Sequence, residues 1–148
     1  MRLARKLASL SARQWRDLAR AQWSLIVAQL RLRTRAKGAL VERWTVDAER
    51  PAADIRQLQR AQEIGDAVRR VGLYGVTRPQ CLARSLAICE LLQAERIPGA
   101  IIRIGVRPQD TRLDAHAWVE YAGEIIGDSR AHVRRFELMA SAHGALRR

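Results

Sequence analysis

Residues 81–128 contain, in order, the segments Cys81-Leu-Ala-Arg-Ser-Leu, Asp114-Ala-His116-Ala-Trp118-Val-Glu120 and Ile126-Gly127-Asp128. Cys81 follows a helix-starting Arg-Pro-Gln, His116 lies in a stretch with strand-type alternation, and Asp128 follows the next turn signal. A thiol at a helix start, an imidazole base and a carboxylate that orients the base are the three parts of a cysteine-protease triad. The sequence therefore predicts that Cys81, His116 and Asp128 are catalytic.

The periodicity of the apolar residues changes once along the chain. Three- and four-residue spacing predicts helices over residues 12–36, from an Asp54 cap to a stop near Gly72, and from Cys81 to about Glu95, with an irregular segment at 39–53. Alternation then predicts strands over 100–106, 115–121 and 124–128, with a loop at 107–114. Helices followed by antiparallel strands indicate an α+β fold. The nearly all-apolar helix that begins at Cys81 is expected to be its buried centre.

The predicted hairpin over 115–128 makes a specific claim about strand register. A two-residue turn at Ala122-Gly123 would place His116 opposite residue 129 and leave Asp128 on the wrong face of the sheet. A three-residue loop over residues 121–123, with Gly123 at positive φ, would pair His116 directly with Asp128. Directly opposed residues have Cβ atoms about 4.5–5.5 Å apart, which suits an imidazole–carboxylate hydrogen bond. The triad hypothesis therefore includes the three-residue loop.

Positive charge is concentrated at the start of the chain. Residues 1–37 hold ten lysines and arginines against one acid, a net +9 of the formal +12 of the whole chain. We expect residues 1–38 to form a basic amphipathic helical arm and residues 39–148 to form the catalytic domain. Two interpretations of the arm stay open. It is either a solvated basic face over an apolar stripe packed on the domain, or a surface that docks a partner through Arg31, Arg33 and Arg35.

The cysteines and the apolar runs bear on the compartment. Cys81 and Cys89 would lie roughly 12 Å apart on one helix, too far for a disulfide, so free thiols and a reducing, cytoplasmic setting are expected. The longest uncharged stretch in the arm, residues 21–30, is too short to span a membrane, and no secretory signal is evident. The arm is also arginine-rich and acid-poor, as organellar transit peptides are.

No cofactor is predicted. The two cysteines and the histidines at 116, 132 and 143 lack the paired spacing of metal ligands, and there is no glycine-rich phosphate loop. Cys89 is mid-helix and is expected to be a core residue, whereas the helix start favours the thiolate of Cys81. Gln80, directly before Cys81, is a candidate support for the oxyanion or for His116.

Several segments together resemble one known family. Cys81-Leu-Ala-Arg-Ser-Leu, Ile97-Pro-Gly-Ala, His116-Ala-Trp-Val-Glu and the closing Gly127-Asp128 are similar to the transglutaminase-like cysteine peptidases of lasso-peptide biosynthesis, over roughly residues 54–130. The resemblance implies a transglutaminase-like, papain-like core in which a central helix carrying Cys81 packs on a small antiparallel sheet carrying His116 and Asp128. It also implies a Cys81 nucleophile, a His116 base and an Asp128 orienter.

The same resemblance implies the biological context. Such peptidases remove the leader from a ribosomally made precursor peptide, and a small recognition domain presents the leader. The basic helix at the N-terminus leaves no room for that domain's strands, so a separate leader-recognition protein is expected. An ATP-dependent macrolactam-forming synthetase would act next. Nucleic acid is not an expected partner, and peripheral contact of the arm with an anionic membrane surface stays open.

Two other functions compete with leader removal. The same triad could catalyse acyl transfer or amide cross-linking, which only substrate assays would separate from hydrolysis. A non-catalytic interpretation makes the chain a basic scaffold that binds nucleic acid through its arm. Binding that weakens steeply with salt and survives loss of Cys81 would favour the scaffold.

Overall fold

The computed structural model describes residues 9–34, 37–45, 52, 54–77 and 79–139. The helices are α1 (Ala12–Thr34), α2 (Lys37–Thr45), α3 (Ile55–Tyr74), α4 (Cys81–Ala94) and the one-turn α5 (Arg130–Val133). The strands are β1 (Ile101–Gln109), β2 (Arg112–Tyr121), β3 (Glu124–Ile126) and β4 (Glu137–Leu138). They form one antiparallel sheet in the order β3-β2-β1-β4. The predicted α+β class is confirmed.

Helix α4 is the centre of the fold, as its apolar sequence predicts. Half of its residues are buried, and it contacts α1, α3, β1 and β2. Beside it, α3 begins where the sequence indicates, because the Asp54 carboxylate accepts a hydrogen bond from the Arg56 N–H and caps the helix. Helix α3 then continues past Gly72 to Tyr74. Contacts with two helices and two strands fix α4, and so the position of Cys81, relative to the sheet.

The apolar stripe of α1 is part of the core. Ala21, Leu25 and Ala28 are fully buried in the same cluster as the residues of α3 and α4. Arg60 of α3 adds a partly buried ion-pair network, since it donates to Asp17 of α1 at 2.7 and 2.8 Å and to Glu95, after α4, at 2.7 Å. The hydrogen bonds from Arg60 lower the pKa of Asp17 and hold that of Glu95 at about 2, against the opposing effect of burial.

Two segments have a different secondary structure from the one that the sequence predicts. The predicted irregular segment at 39–53 is helical through Thr45, because Val41 is fully buried and Trp44 packs against the core. The predicted loop at 107–114 is absent: β1 and β2 pair in register from Ile101↔Glu120 to Gln109↔Arg112 and are joined by a tight turn. A positive φ at Asp110 makes this turn, and the Arg107–Asp114 pair, at 2.7 Å, holds the two strands together below it.

The predicted register of the second hairpin is also wrong. Tyr121 pairs with Glu124 and Val119 with Ile126, so the turn contains two residues and not three. Ala122 and Gly123 both adopt positive φ, 50° and 81°, which is the conformation that two-residue hairpin turns need. The sequence-based prediction rests on the pairing of His116 with Asp128 and does not allow for a positive φ at Ala122, which alanine seldom adopts. In the observed register, position 129 and not 128 would lie opposite His116 if β3 continued.

The two faces of the sheet are covered differently. Ala117, Val119 and Tyr121 of β2 point into the core beneath the helices. Trp118 lies on the other face in a small cluster with Val133, Phe136 and the partly buried Ile125. This second cluster is formed by the segment after β3, which crosses the sheet from the β3 edge to the β4 edge. His116 lies on the face that this segment covers.

Candidate active site

Cys81 is the first residue of α4. Gln80 before it is extended, with φ −68° and ψ 162°, and its side chain makes no capping hydrogen bond to the first backbone N–H groups of the helix. Burial raises the pKa of Cys81, but hydrogen bonds with the His116 ring and with the backbone N–H groups of Ala117 and Leu82, together with the His116 charge, outweigh it. The net pKa of Cys81 is lowered, which favours the thiolate, the nucleophilic form.

His116 and Asp128 are directly hydrogen-bonded. Nε2 of His116 lies 2.6 Å from Oδ2 of Asp128, and the two side chains are only 7 % and 20 % exposed. The hydrogen bond to Asp128, followed by the one with Cys81, raises the pKa of His116 to about 9 against the effect of burial. For Asp128, burial raises the pKa, but the His116 and Ser129 hydrogen bonds and the nearby charges lower it overall. Because Nε2 faces Asp128, the ring nitrogen left for the Cys81 thiol is Nδ1.

Asp128 reaches His116 although the hairpin register alone would not bring it there. Strand β3 ends at Ile126, and Gly127 turns the chain with a φ of +73°. After this turn Asp128 no longer pairs with β2. Its carboxylate oxygen Oδ1 accepts a hydrogen bond from the Ser129 N–H at 2.7 Å, and Oδ2 faces the imidazole of His116. The sequence predicts that direct strand pairing brings Asp128 to His116. In the structure the turn at Gly127, which needs a positive φ, makes this contact instead.

The early end of β3 also opens the edge of β2 beside the thiol. In the observed register, Ala117 would pair with position 128, which has left the sheet. Its backbone N–H is instead directed to the Cys81 sulfur. This contact joins Cys81 to the strand that carries His116.

Aromatic rings surround the imidazole on its other sides. The ring centroid of His132 lies 4.6 Å from that of His116, that of Phe136 lies 5.0 Å away, and that of Trp118 lies 6.2 Å away. The sequence predicted neither His132 nor Phe136 as site residues. His132 lies in α5, where the Ser129 hydroxyl accepts a hydrogen bond from the His132 N–H, and Phe136 lies three residues beyond the end of this helix. Such a short element has no periodic sequence pattern. These rings limit water access to the His116–Asp128 pair.

One group of residues in the described part of the chain could hold a metal ion. The ligand atoms of His116, Asp128 and His132 lie within 4.8 Å of one another. Two of these atoms already form the imidazole–carboxylate hydrogen bond, so a metal ion would compete with that pair. The arrangement fits acid–base chemistry better than a structural metal site.

The remaining predicted residues have different surroundings. Cys89 is fully buried, and burial raises its pKa well above the ordinary thiol value. Gln80 is exposed next to Cys81 and makes no side-chain capping bond. Arg31 pairs with Glu90 of α4 at 2.5 Å, Arg33 is exposed, and Arg35 lies outside the described residues.

Comparison with known proteins gives the family. The sequence profile of the transglutaminase-like superfamily matches residues 24–141, which include the second half of α1, the whole sheet and all three predicted triad residues. The chain belongs to this superfamily. No curated protein and no solved structure matches the chain significantly. Membership indicates cysteine peptidase or acyltransferase chemistry. None of the described helices is both long enough and apolar enough to cross a bilayer.

Proposed function

We propose that this protein is a cysteine peptidase that removes the leader from a lasso-peptide precursor through a Cys81–His116–Asp128 triad. The observation that carries the proposal is that the His116 ring contacts both of the other residues. The Cys81 thiol interacts with one side of the ring, and Asp128 Oδ2 lies 2.6 Å from Nε2 on the other side. A thiol with a lowered pKa next to an imidazole with a raised pKa favours a thiolate–imidazolium pair. The sequence resemblance to lasso-peptide leader peptidases supports the choice of substrate.

Acylation would use the resting ion pair directly. The Cys81 thiolate attacks the carbonyl carbon of the peptide bond at the leader–core junction, and the carbonyl π electrons move to its oxygen. Backbone N–H groups at the start of α4, and the exposed amide of Gln80, are candidate donors to this oxyanion. As the intermediate collapses, the C–N bond breaks and Nδ1 of the imidazolium gives its proton to the leaving amine. The products are a leader thioester on Cys81 and a free core peptide.

Deacylation reverses the proton transfer. Neutral His116 takes a proton from a water molecule, the hydroxide attacks the thioester carbonyl, and the C–S bond breaks to release the leader acid and the thiolate. Asp128 stabilises the imidazolium formed in this step and fixes the tautomer that keeps Nδ1 directed to sulfur. The aromatic cluster around His116 holds the ring in that orientation.

The exposed edge of β2 is where the extended substrate would bind. Among the described residues, β3 pairs only with residues 119–121 of β2, and the stretch before Ala117 runs along that edge to the thiol. Ala115 is exposed, and so is the apolar side chain of Leu113. A peptide that adds to this edge as a strand would gain main-chain hydrogen bonds and an apolar contact, and its carbonyl would approach Cys81.

The basic arm would serve recognition of the leader or its carrier. Most of the chain's net charge lies in residues 1–37, outside the sequence segment that carries the triad, and the described part of the arm keeps Arg33 exposed while Leu25 and Ala28 are buried. We propose a separate leader-recognition protein as the partner and a macrolactam-forming synthetase as the enzyme that uses the released core. Long-range charge of this kind raises encounter rate and affinity and has little effect on chemistry.

Acyl transfer is the second candidate function, because the superfamily includes both chemistries. In that case an amine, in place of water, would attack the Cys81 thioester. The two are separated by incubating the protein, the precursor and a leader-recognition partner with a labelled primary amine, and weighing the products by mass spectrometry. Free leader acid supports the peptidase, and stoichiometric amide of the label supports the transferase. Neither product, with a protein that is folded and binds the precursor, would contradict both.

A further inference from the structure

The position of Asp128 depends on a glycine that is itself held tightly. Gly127 takes a φ of +73°, and a Cβ atom added to it would lie 2.6 Å from Cδ1 of Ile88 in α4. On its other side Gly127 meets α3, where the carbonyl oxygen of Gly65 would lie 3.1 Å from the added Cβ. The turn that delivers Asp128 therefore passes between two helices with no spare space.

The contact with α3 depends on the absence of a side chain at Gly65. A Cβ atom at this buried position would lie 2.6 Å from the backbone nitrogen of Gly127 and 2.9 Å from its Cα. These are backbone atoms, so they could not move aside as a flexible side chain can. The added atom would also lie 2.7 Å from Cγ2 of the buried Ile126. Any side chain at position 65 must push the end of β3 and the Gly127 turn away from α3.

A second residue of α3 holds the same segment. Nε2 of Gln62 donates to the carbonyl oxygen of Ile125 at 3.2 Å. Gln62 and Gly65 are three residues apart and so share one face of the helix. This face packs against the end of β3 and the turn that follows it. Gln62 makes the contact by a hydrogen bond, and Gly65 makes it by close approach of the two backbones.

We propose that Gly65, together with Gln62, positions Asp128 against His116. Neither residue touches the reacting atoms, so each would act only through the place of the carboxylate. The inference rests on the proposed triad. It assigns a role in the site to a helix that carries none of the three triad residues.

Alanine at Gly65 distinguishes this role from an ordinary helix position. Helix propensity favours alanine over glycine, so an unconstrained glycine in α3 should tolerate the change or gain stability from it. Gly72 provides the matched control on the same helix. A Cβ there would lie 3.3 Å from Cδ of Arg84, a flexible side chain, and 3.5 Å from Cγ of Pro79. Gly72→Ala should therefore leave the site unchanged.

The experiment measures the pH dependence of Cys81 alkylation by iodoacetamide in a Cys89→Ala background, so that one thiol reacts. Gly65→Ala should raise the midpoint pH of alkylation towards that of an ordinary thiol, which is the direction expected for Asp128→Asn. Gly72→Ala should leave the midpoint pH unchanged. Adding Gly65→Ala to Asp128→Asn should give no further change, because the partner through which Gly65 acts is already lost. Leader cleavage by Gly65→Ala should show reduced kcat with KM little changed.

A folded Gly65→Ala protein with the wild-type alkylation midpoint overturns the proposal. If Gly65→Ala does not fold, Gln62→Ala decides the question. A raised midpoint in folded Gln62→Ala supports the positioning role, and an unchanged midpoint overturns it. Alkylation needs no peptide substrate, so a shifted midpoint in a protein that never cleaves a precursor would refute the proposed function while leaving this inference standing.

Discussion

Nε2 of His116 contacts Oδ2 of Asp128 at 2.6 Å, although Asp128 has left the strand that pairs with the strand of His116. The contact is made by a turn at Gly127, outside the hydrogen-bonded ladder. A carboxylate held in this way can be displaced without disrupting the sheet. The geometry of the His116–Asp128 pair is therefore sensitive to changes that the sheet itself would tolerate.

The first prediction concerns the carboxylate. Asp128→Asn should lower kcat by at least about tenfold, towards the ~10⁴-fold loss seen when the carboxylate of a serine triad becomes an amide. Asparagine keeps the size of the side chain but loses the carboxylate whose hydrogen bond, and to a lesser extent whose charge, raises the pKa of His116. NMR titration of the His116 ring should show that pKa falling from about 9 towards the ordinary histidine value. An unchanged ring titration would remove Asp128 from the triad.

The second prediction concerns pH. Activity should rise with pH as Cys81 ionises, below the ordinary thiol pKa, and should fall again as pH rises through about 9, where His116 loses its proton. The kcat/KM profile of the free enzyme reports both limbs. The folded-state pKa of His116 lies above its unfolded value, so its contribution to stability should be complete below about 6.5 and lost as pH rises through about 9. A profile with no fall up to pH 10 would contradict the ion-pair assignment.

The third prediction concerns stability away from the site. Arg60→Ala should lower the free energy of unfolding by about 2–3 kcal/mol, because it leaves the partly buried carboxylates of Asp17 and Glu95 without their main partner. Arg13→Ala is the matched control. Arg13 pairs with Glu63, which Arg60 also contacts, but its side chain is 57 % exposed, so the loss should be under about 0.5 kcal/mol. Urea denaturation of both variants tests the difference.

The fourth prediction concerns the arm. Reversing Arg31, Arg33 and Arg35 together should raise the apparent KM, or weaken partner binding, with kcat little changed, and the effect should shrink as salt rises. Since Arg31 already pairs with Glu90, the single reversal Arg33→Glu is the cleaner test. Arg56→Glu, an equal charge change at the exposed start of α3, is its control. An unchanged KM for Arg33→Glu at low and high salt, with its melting temperature also unchanged, would rule out docking by Arg33.

Much of the fold could be predicted because it rests on long periodic segments. The buried helix from Cys81 and the capped helix from Asp54 both follow from apolar spacing and local capping chemistry. Helix α2 could not be predicted in this way. Its nine residues are helical because Val41 and Trp44 pack on the core, a tertiary cause that short segments do not encode.

The three residues that the sequence nominates lie together, but not by the route that the sequence predicts. Cys81 and Asp128 both contact His116, whereas the predicted hairpin register that pairs His116 directly with Asp128 is wrong. A positive φ at Ala122 shortens the turn, and a positive φ at Gly127 then returns Asp128 to the imidazole. The shorter turn moves Asp128 away from its predicted pairing, and the turn at Gly127 brings its side chain back to His116. His132 and Phe136 are brought to the ring by the chain's path across the sheet, which no local pattern specifies.

The fifth prediction, that Cys81 is the nucleophile of leader removal, is the central claim. Its most direct test is leader removal from the precursor, in the presence of the recognition partner, by Cys81→Ala, Cys81→Ser and Cys89→Ala, with rates taken from mass spectrometry. The two Cys81 variants should lose roughly 10⁴- to 10⁶-fold in rate at unchanged secondary structure. Cys89→Ala should cleave at near the wild-type rate, with stability reduced by about 1–2 kcal/mol for the cavity in the core. Cleavage by folded Cys81→Ala at a wild-type rate, or equal loss in all three variants, would contradict the account.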